Sequence, residues 1–280
     1  MMKNILIPTD FSENSWNAIT YALSFFNRVR CNFYFLHVSP YKEIIRNDSL
    51  YHSEHTISEK IRNNAEMQMQ LLLKKVEKLP LNIKHHFFSM YKQVFFIDTI
   101  RKSIEEKNID FIVMGTKGAS GAKKKTIGSN TGDVITKVKC PVLVIPENAK
   151  YSKVHEIAFP TDYNIYYKSN VLKTIHEILS LSHAALRVLH ISKKNQELTE
   201  LQNNNKNFLN EHIADTIEHS FHFLSSSNIE EAVQCFVESR DIDMITMIAK
   251  NLNFFQRILF YPTVEQISYH TDIPFLILHE

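Results

Sequence analysis

An internal repeat is the feature that most limits the architecture of this sequence. Residues 5–10 read ILIPTD, and residues 157–162 read IAFPTD, at an offset of 152. Three further matches follow in the same order: residues 36–39 with 189–192, 109–111 with 242–244, and 140–145 with 273–278. Self-similarity of this kind predicts repeated structural units. We therefore expect two copies of one unit within the 280 residues, a length that suits two domains of ordinary size.

Each copy alternates short apolar runs with amphipathic segments. The apolar runs of the first copy predict strands at residues 4–9, 33–38, 83–90, 109–114 and 141–146. Helical spacing of apolar residues predicts helices between them, the longest at residues 58–78, and Ser12 is a candidate cap of the first. This order of elements predicts an α/β fold with two tandem, doubly wound, parallel five-stranded sheets.

All five glycines of the chain fall within eighteen consecutive positions, at Gly115, Gly118, Gly121, Gly128 and Gly132. Glycine suits positions where the backbone takes a positive φ or another group approaches it closely. The segment follows the predicted strand at 109–114 and leads into Ser129, Asn130 and Thr131, whose side chains favour helix caps. A strand, a glycine-rich loop and a helix N-terminus are typical of an anion site, because the first helical amides lack partners. A flexible surface loop is the plainer alternative.

The spacing of the glycines distinguishes this loop from two common phosphate loops. The chain contains neither G-x-x-x-x-G-K-[S/T] nor G-x-G-x-x-G. It contains Gly115-x-x-Gly118, then nine residues, then Gly128-Ser129. This spacing, with the strand before it and the C-P-V-L-V-I-P strand after it, resembles the nucleotide loop of the ATP-binding universal stress proteins. The chain as a whole resembles a tandem, UspA-like member of that family.

The resemblance implies two Rossmann-like domains, of the adenine nucleotide alpha hydrolase type, related by a pseudo-twofold axis. It implies binding of ATP or another adenine nucleotide, often with Mg²⁺, and a regulatory role in the stress response. It also implies that the last strands of the copies, residues 142–145 and 275–278, pair antiparallel as a pseudo-dimer within one chain. Further association into a homodimer stays open. We place the domains at residues 1–147 and 148–280.

The resemblance places the nucleotide site in the first copy. It implies that Asp10 contacts the adenosine, the backbone of Val38 the adenine, and the backbone of the glycine loop the phosphates. The alternatives are a helix cap for Asp10 and a plain strand end for Val38, while Ser129 and Thr131 suit either phosphate contact or capping. The complete candidate set is Pro8, Thr9, Asp10, Val38, Met114, Gly115, Gly118, Gly128, Ser129, Asn130 and Thr131.

The glycine loop is lost in the second copy. At an offset of 133, its positions Gly115, Gly118, Gly128 and Ser129 become Ile248, Asn251, Tyr261 and Pro262. Branched and bulky side chains resist a positive φ and would fill the space of a phosphate, and a proline has no amide hydrogen. Asp162 repeats Asp10, but an aspartate alone is equally typical of a turn. We therefore expect one nucleotide per chain, bound by the first copy.

Charge and hydrophobicity argue against other classes of partner. Lys and Arg number 32 against 30 Asp and Glu, so the balance predicts binding neither to nucleic acid nor to an acidic membrane. No run approaches the ~18 apolar residues of a membrane span, and the first apolar run is too short for a signal peptide. Cys31, Cys140 and Cys235 lie in or beside apolar runs and predict buried, reduced thiols. We expect a cytoplasmic protein.

The remaining candidates for chemistry form no known catalytic or metal pattern. Several histidines lack the spacing of a zinc site and predict structural or surface roles, namely His52, His55, His85, His86, His212, His219 and His222. No G-x-S-x-G motif or other nucleophile–base signature occurs.

Three functions compete. A nucleotide-binding regulatory protein is favoured. A slow ATPase or autokinase would need a water-activating group or phosphoacceptor that we do not identify, and a nucleotide-free interaction module would leave the clustered glycines unexplained.

Overall fold

The computed structural model describes residues 2–39, 54–80, 82–116, 128–192, 196–213, 217–249 and 272–279. The strands in these segments are β1 Lys3–Pro8, β2 Cys31–Val38, β3 His85–Lys92, β4 Phe111–Gly115, β5 Val142–Ile145, β6 Glu156–Pro160, β7 Ala185–Ser192, β8 His219–Ser225, β9 Met244–Ile248 and β10 Phe275–Leu278. The helices in these segments are α1 Glu13–Phe25, α2 Glu54–Glu77, α3 Phe96–Lys107, α4 Ser129–Lys137, α5 Ser169–Ser182, α6 Glu200–His212 and α7 Ile229–Ser239.

The strands form one ten-stranded sheet in the order β3-β2-β1-β4-β5-β10-β9-β6-β7-β8. Neighbouring strands are parallel except β5 and β10, which pair antiparallel. The last five strands repeat the order of the first five, and the antiparallel pair joins the two sets. The structure therefore confirms two tandem, doubly wound halves of five parallel strands each, and their last strands pair antiparallel as predicted, which joins the two predicted sheets into one.

The apolar residues form two cores, one on each face of the sheet. Helices α1, α2, α5 and α6 cover one face, and α3, α4 and α7 cover the other. The central strands are buried on both faces, which explains why runs such as the VLVI of β5 are apolar throughout instead of alternating. The predicted apolar face of the long helix α2 is confirmed, because Ala65, Met69, Leu72 and Val76 are all buried.

Matching contacts connect the first helix of each half to the end of that half's last strand. Nδ2 of Asn17 in α1 donates to the carbonyl oxygen of Pro146 at 3.1 Å. In the second half, Nδ2 of Asn170 in α5 donates to the carbonyl oxygen of His279 at 3.2 Å. The repeat in the sequence is therefore repeated in side-chain contacts as well as in strand order.

The expectation of a third buried thiol is wrong. Cys31 and Cys140 are buried, but Cys235 is exposed. It lies within an apolar run of α7, and the buried face of that helix is formed by Ala232, Val233, Phe236 and Val237. The 3.6-residue period turns position 235 away from this face.

The third strand is shifted along the chain relative to the prediction. It spans His85–Lys92, and Ile83, the first residue of the predicted strand, precedes it and is 95% exposed. His85 is buried and His86 is exposed, so the two side chains point to opposite faces of the sheet. Among the described residues, no helix is long and apolar enough to cross a membrane.

Candidate functional site

The carboxyl ends of β1, β2 and β4 meet at one edge of the sheet. β1 lies between β2 and β4 in the strand order and ends at Pro8. Thr9 and Asp10 follow it, Val38 ends β2, and Gly115 ends β4. The structure therefore brings these candidate residues together at the edge where open α/β sheets bind ligands.

A tight turn holds Asp10 directly after β1. The hydroxyl of Thr9 is buried and accepts from the amide of Phe11 at 3.1 Å, and Phe11 has a positive φ of 64°. Oδ1 of Asp10 accepts from the amide and the hydroxyl of Ser12, at 3.1 and 2.6 Å. Ser12 caps α1, as predicted, by accepting from the amide of Ser15 at 3.2 Å. The N-cap of α1 is therefore Ser12, which Asp10 holds in the turn, and the contact of Asp10 with a ligand stays a prediction.

His37 of β2 is a residue of this edge that the sequence analysis did not single out. Its Nδ1 donates to the carbonyl oxygen of Thr9 at 2.8 Å, and its ring packs against Phe11 and Tyr91, with centroids 4.5 and 6.1 Å away. His190 repeats the contact in the second half, where Nδ1 donates to Thr161 at 3.0 Å. The recurrence of Leu-His in the repeat was the available signal. His37 links the end of β2 to the turn that holds Asp10.

Gly115 is in close contact with another residue. A Cβ atom at this position would lie 2.9 Å from Cγ of Asn14 in α1, and its φ lies outside the positive region. Of the two reasons for glycine considered from the sequence, close approach is therefore the one that applies here. Met114, immediately before it, is buried in β4.

The two ends of the glycine loop are joined by hydrogen bonds. The amide of Gly128 donates to the carbonyl oxygen of Thr116 at 2.5 Å. The hydroxyl of Thr131, a buried residue, donates to the carbonyl oxygen of Gly115 at 2.8 Å. These bonds fix the start of α4 beside the end of β4. Gly118 and the rest of the loop, residues 117–127, lie outside the described residues.

Helix α4 begins without a side-chain cap. Its N-cap residue is Gly128, with a φ of −59° and a ψ of 148°, so the expectation that Ser129, Asn130 or Thr131 caps the helix is wrong. Thr131 uses its hydroxyl on Gly115 instead. The first amides of a helix have no acceptor within it, and the helix dipole makes that end positive. The start of α4 therefore presents hydrogen-bond donors suited to an anion.

At the same edge of the second half, side chains of α6 contact the turn that follows β6. Tyr163 follows β6 with a φ of 56° and is fully buried. Nδ2 of Asn205 in α6 donates to the carbonyl oxygen of Tyr163 at 2.7 Å. Nε2 of Gln202, also in α6, donates to the carbonyl oxygen of Asp162 at 2.7 Å. Helix α6 thus contacts the turn that corresponds to the one around Asp10.

The residue that corresponds to Gly115 is also different in the second half. Ile248 ends β9, as Gly115 ends β4, and it is buried. In the first half, the glycine at this position is in close contact with Asn14. The other replacements, Asn251, Tyr261 and Pro262, lie outside the described residues.

The described residues contain no group of three or more His, Cys, Asp or Glu side chains that could hold a metal ion. Burial raises the pKa of the Cys31 and Cys140 thiols to about 12. Both therefore stay protonated near neutral pH and are poor nucleophiles. Among the described residues of the candidate edge, backbone amides can donate hydrogen bonds and the carboxylate of Asp10 can accept them.

Comparison with other sequences places the first half of the chain in one family, and related proteins of that family match the same half. The sequence model of the universal stress protein family matches residues 1–146. Universal stress protein MJ0577 of Methanocaldococcus jannaschii is 28% identical over 158 residues, which cover 52% of this chain and 95% of that protein. Universal stress protein YxiE of Bacillus subtilis is 26% identical over 149 residues, which cover 52% and 99% of the two chains.

Comparison with solved structures covers both halves. A universal stress protein from Archaeoglobus fulgidus matches with a TM-score of 0.69 at 21% identity, over 99% of this chain and 98% of the other. A putative universal stress protein from Pseudomonas aeruginosa matches with a TM-score of 0.55 at 10% identity, over 99% and 93% of the two chains. At these identities the likeness shows the fold, and it extends through the second half.

Proposed function

This chain belongs to the universal stress protein family, and from this premise we propose that it binds ATP, or a related adenine nucleotide, at the carboxyl edge of its first half. The nucleotide would lie across the ends of β1, β2 and β4. We assign the complete site to a domain of residues 1–147 and no nucleotide to a domain of residues 148–280. The activity is binding with a regulatory outcome in the stress response.

The observation that carries the proposal is the uncapped start of α4 beside the end of β4. Gly128 supplies no capping side chain, and its own amide is used by Thr116. The amides of Ser129, Asn130 and Thr131 are then the donors for the phosphates, together with the loop around Gly118. A hydrogen bond to a charged group contributes about 1.5–3 kcal/mol. Three such bonds are enough to give phosphate a clear preference for this position.

Asp10 and Val38 are assigned to the adenosine. A carboxylate accepts hydrogen bonds from ribose hydroxyls or an exocyclic amine, and the turn after β1 orients Asp10 at the strand end. The backbone of Val38 ends the neighbouring strand and would contact the adenine. Buried residues of the adjoining strand ends, Pro8, Thr9 and Met114, form the floor beneath them.

Mg²⁺ would be held mainly by the nucleotide. It keeps several waters and is commonly bound through phosphate oxygens with few protein ligands. The described residues offer no cluster of carboxylates that would bind the ion by themselves. The proposal also places the protein in the cytoplasm, in keeping with its three unpaired cysteines.

The substitution Ser129→Pro tests the phosphate assignment. Proline is favoured at the first helical position, and the extended ψ of 148° at Gly128 suits a following proline. The variant should fold normally but lose one amide donor. We expect ATP affinity, measured by calorimetric titration, to fall about tenfold or more.

The matched control is Ser129→Ala, which removes the hydroxyl and keeps the amide. It should bind ATP nearly as tightly as the unaltered protein. Equal affinity of Ser129→Pro and the unaltered protein would contradict the proposed site. Mass spectrometry of small molecules that co-purify identifies the nucleotide, and release of ADP during incubation would assign an ATPase instead of a binding protein.

A further inference from the structure

Helix α4 is held at its carboxyl end by side chains as well as at its start. It has nine residues, and a helix this short is marginal by itself, so tertiary contacts decide where it lies. The last carbonyl groups of a helix lack intrahelical partners and need other donors. In α4, two of them are satisfied by side chains from elsewhere in the chain.

One donor comes from the same half of the protein. Arg101 in α3 donates to the carbonyl oxygen of Lys137 from Nε at 3.2 Å and from Nη2 at 2.8 Å. The other donor comes from the second half. Nε2 of His279, the residue directly after β10, donates to the carbonyl oxygen of Ile135 at 2.7 Å. The second half therefore contacts the helix whose start we assign to the phosphates.

The position of His279 is fixed by its backbone as well as by its ring. β10 pairs antiparallel with β5 of the first half, and the carbonyl oxygen of His279 accepts from Asn170 in α5. Because Nε2 faces a carbonyl oxygen, this nitrogen carries the proton. His279 thus connects α5, β10 and α4 through one residue.

We propose that His279 is a positioning residue for the nucleotide site, which it serves from the second half by holding the carboxyl end of α4. This inference rests on the proposed nucleotide binding. The hydroxyl of Thr131 fixes the other end of α4 to Gly115, so both ends must be held for the amides of Ser129 and Asn130 to keep their direction. The second half, which we assign no nucleotide of its own, then contributes to the affinity of the first.

Two substitutions of His279 separate the hydrogen bond from simple packing. His279→Phe keeps a flat ring but has no donor for Ile135, whereas His279→Gln places an amide nitrogen that donates in a similar position. We expect ATP affinity to fall about fivefold in His279→Phe, the worth of one hydrogen bond, and to recover in His279→Gln. Hydrogen exchange of the backbone amides of residues 129–138, measured without nucleotide, should become faster in His279→Phe but not in His279→Gln.

The matched control is Thr246→Val in the second half. The hydroxyl of Thr246 is buried and donates to the carbonyl oxygen of Leu276 at 3.2 Å, so its loss also removes one hydrogen bond near β10. Its hydroxyl bonds to Leu276 and not to α4, so the variant should leave both ATP affinity and the exchange of α4 unchanged.

The possible failures are distinguishable. Unchanged affinity in His279→Phe, or an equal loss in Thr246→Val, would overturn the positioning role while leaving the nucleotide site in place. If the unaltered protein binds no ATP, the proposed function fails and the positioning role fails with it. The exchange of residues 129–138 would then still decide whether His279 holds α4.

Discussion

The side chain of Asn14 lies directly against the α-carbon of Gly115, so that a Cβ atom there would be 2.9 Å from both Cγ and Nδ2 of Asn14. Asn14 belongs to the first turn of α1, and Gly115 ends β4. The contact brings the helix that follows Asp10 close to the strand that precedes the glycine loop. A glycine at this strand end lets the two parts of the candidate site approach each other.

The first prediction follows from this contact. Gly115→Ala should lower the free energy of unfolding by about 1–3 kcal/mol, because the added methyl group must displace Asn14. Asn14→Ala in the same chain should restore most of the loss, since the space is then free. Urea unfolding of the two single variants and the double variant measures the coupling. Additive losses would show that the crowding lies elsewhere.

The second prediction concerns the hydroxyl that joins α4 to β4. Thr131→Val keeps the shape of the side chain but leaves the carbonyl oxygen of Gly115 without its donor. We expect a loss of about 1–2 kcal/mol in the free energy of unfolding and weaker ATP binding. Thr131→Ser keeps the hydroxyl and should retain both. If Thr131→Val binds ATP as tightly as Thr131→Ser, this hydrogen bond does not position the amides of α4.

The sequence was sufficient to predict the α/β class and its duplication, because both can be recognised from local patterns. Apolar runs mark the strands, the repeat shows that the pattern occurs twice, and parallel sheets follow from alternation with helices. The positions of Asp10 and Gly115 at strand ends could be predicted for the same reason. Their convergence on one edge then follows from the strand order.

The contacts that shape the site were not predictable, because they depend on which distant residues meet. The side chain of Asn14 lies against Gly115. His37 donates a hydrogen bond to Thr9, and His279 donates one to Ile135. Each pair is distant in sequence, and no local pattern marks it. The predicted cap of α4 was also wrong, because three good capping residues follow Gly128. Only the tertiary contact with Gly115 shows that the hydroxyl of Thr131 is used elsewhere.

The third prediction concerns pH. Burial lowers the pKa of His85 and His279 below the ordinary value of 6.5, so the unfolded chain binds protons that the folded chain does not. The contribution of these two histidines to the free energy of unfolding should therefore be fully present above pH 6.5 and should decrease as the pH drops below it. Chemical unfolding at a series of pH values measures the effect.

His279→Gln provides the control for this pH dependence. The variant keeps the hydrogen bond to Ile135 but has no titrating group, so its stability should fall less steeply below pH 6.5. Identical slopes in His279→Gln and the unaltered protein would show that His279 is not held neutral by burial.

The fourth prediction is a stoichiometry of one nucleotide per chain, which a matched pair of aspartates tests. Asp10 and Asp162 follow equivalent strands, and Oδ1 of each accepts an amide of its own turn, from Ser12 at 3.1 Å and from Asn164 at 3.0 Å. Replacing either by alanine should therefore cost similar local stability. Only Asp10→Ala should weaken ATP binding, by about tenfold.

The asymmetry follows from what surrounds each aspartate. The turn of Asp162 is already contacted by Gln202 and Asn205 of α6, and the fully buried Tyr163 occupies the interior beside it. A nucleotide there would have to displace these side chains and would find Ile248 where the first half has Gly115. Equilibrium dialysis with labelled ATP should thus give one site in the unaltered protein and in Asp162→Ala. A second site of equal affinity, or equal losses in the two alanine variants, would show that the second half binds nucleotide as well.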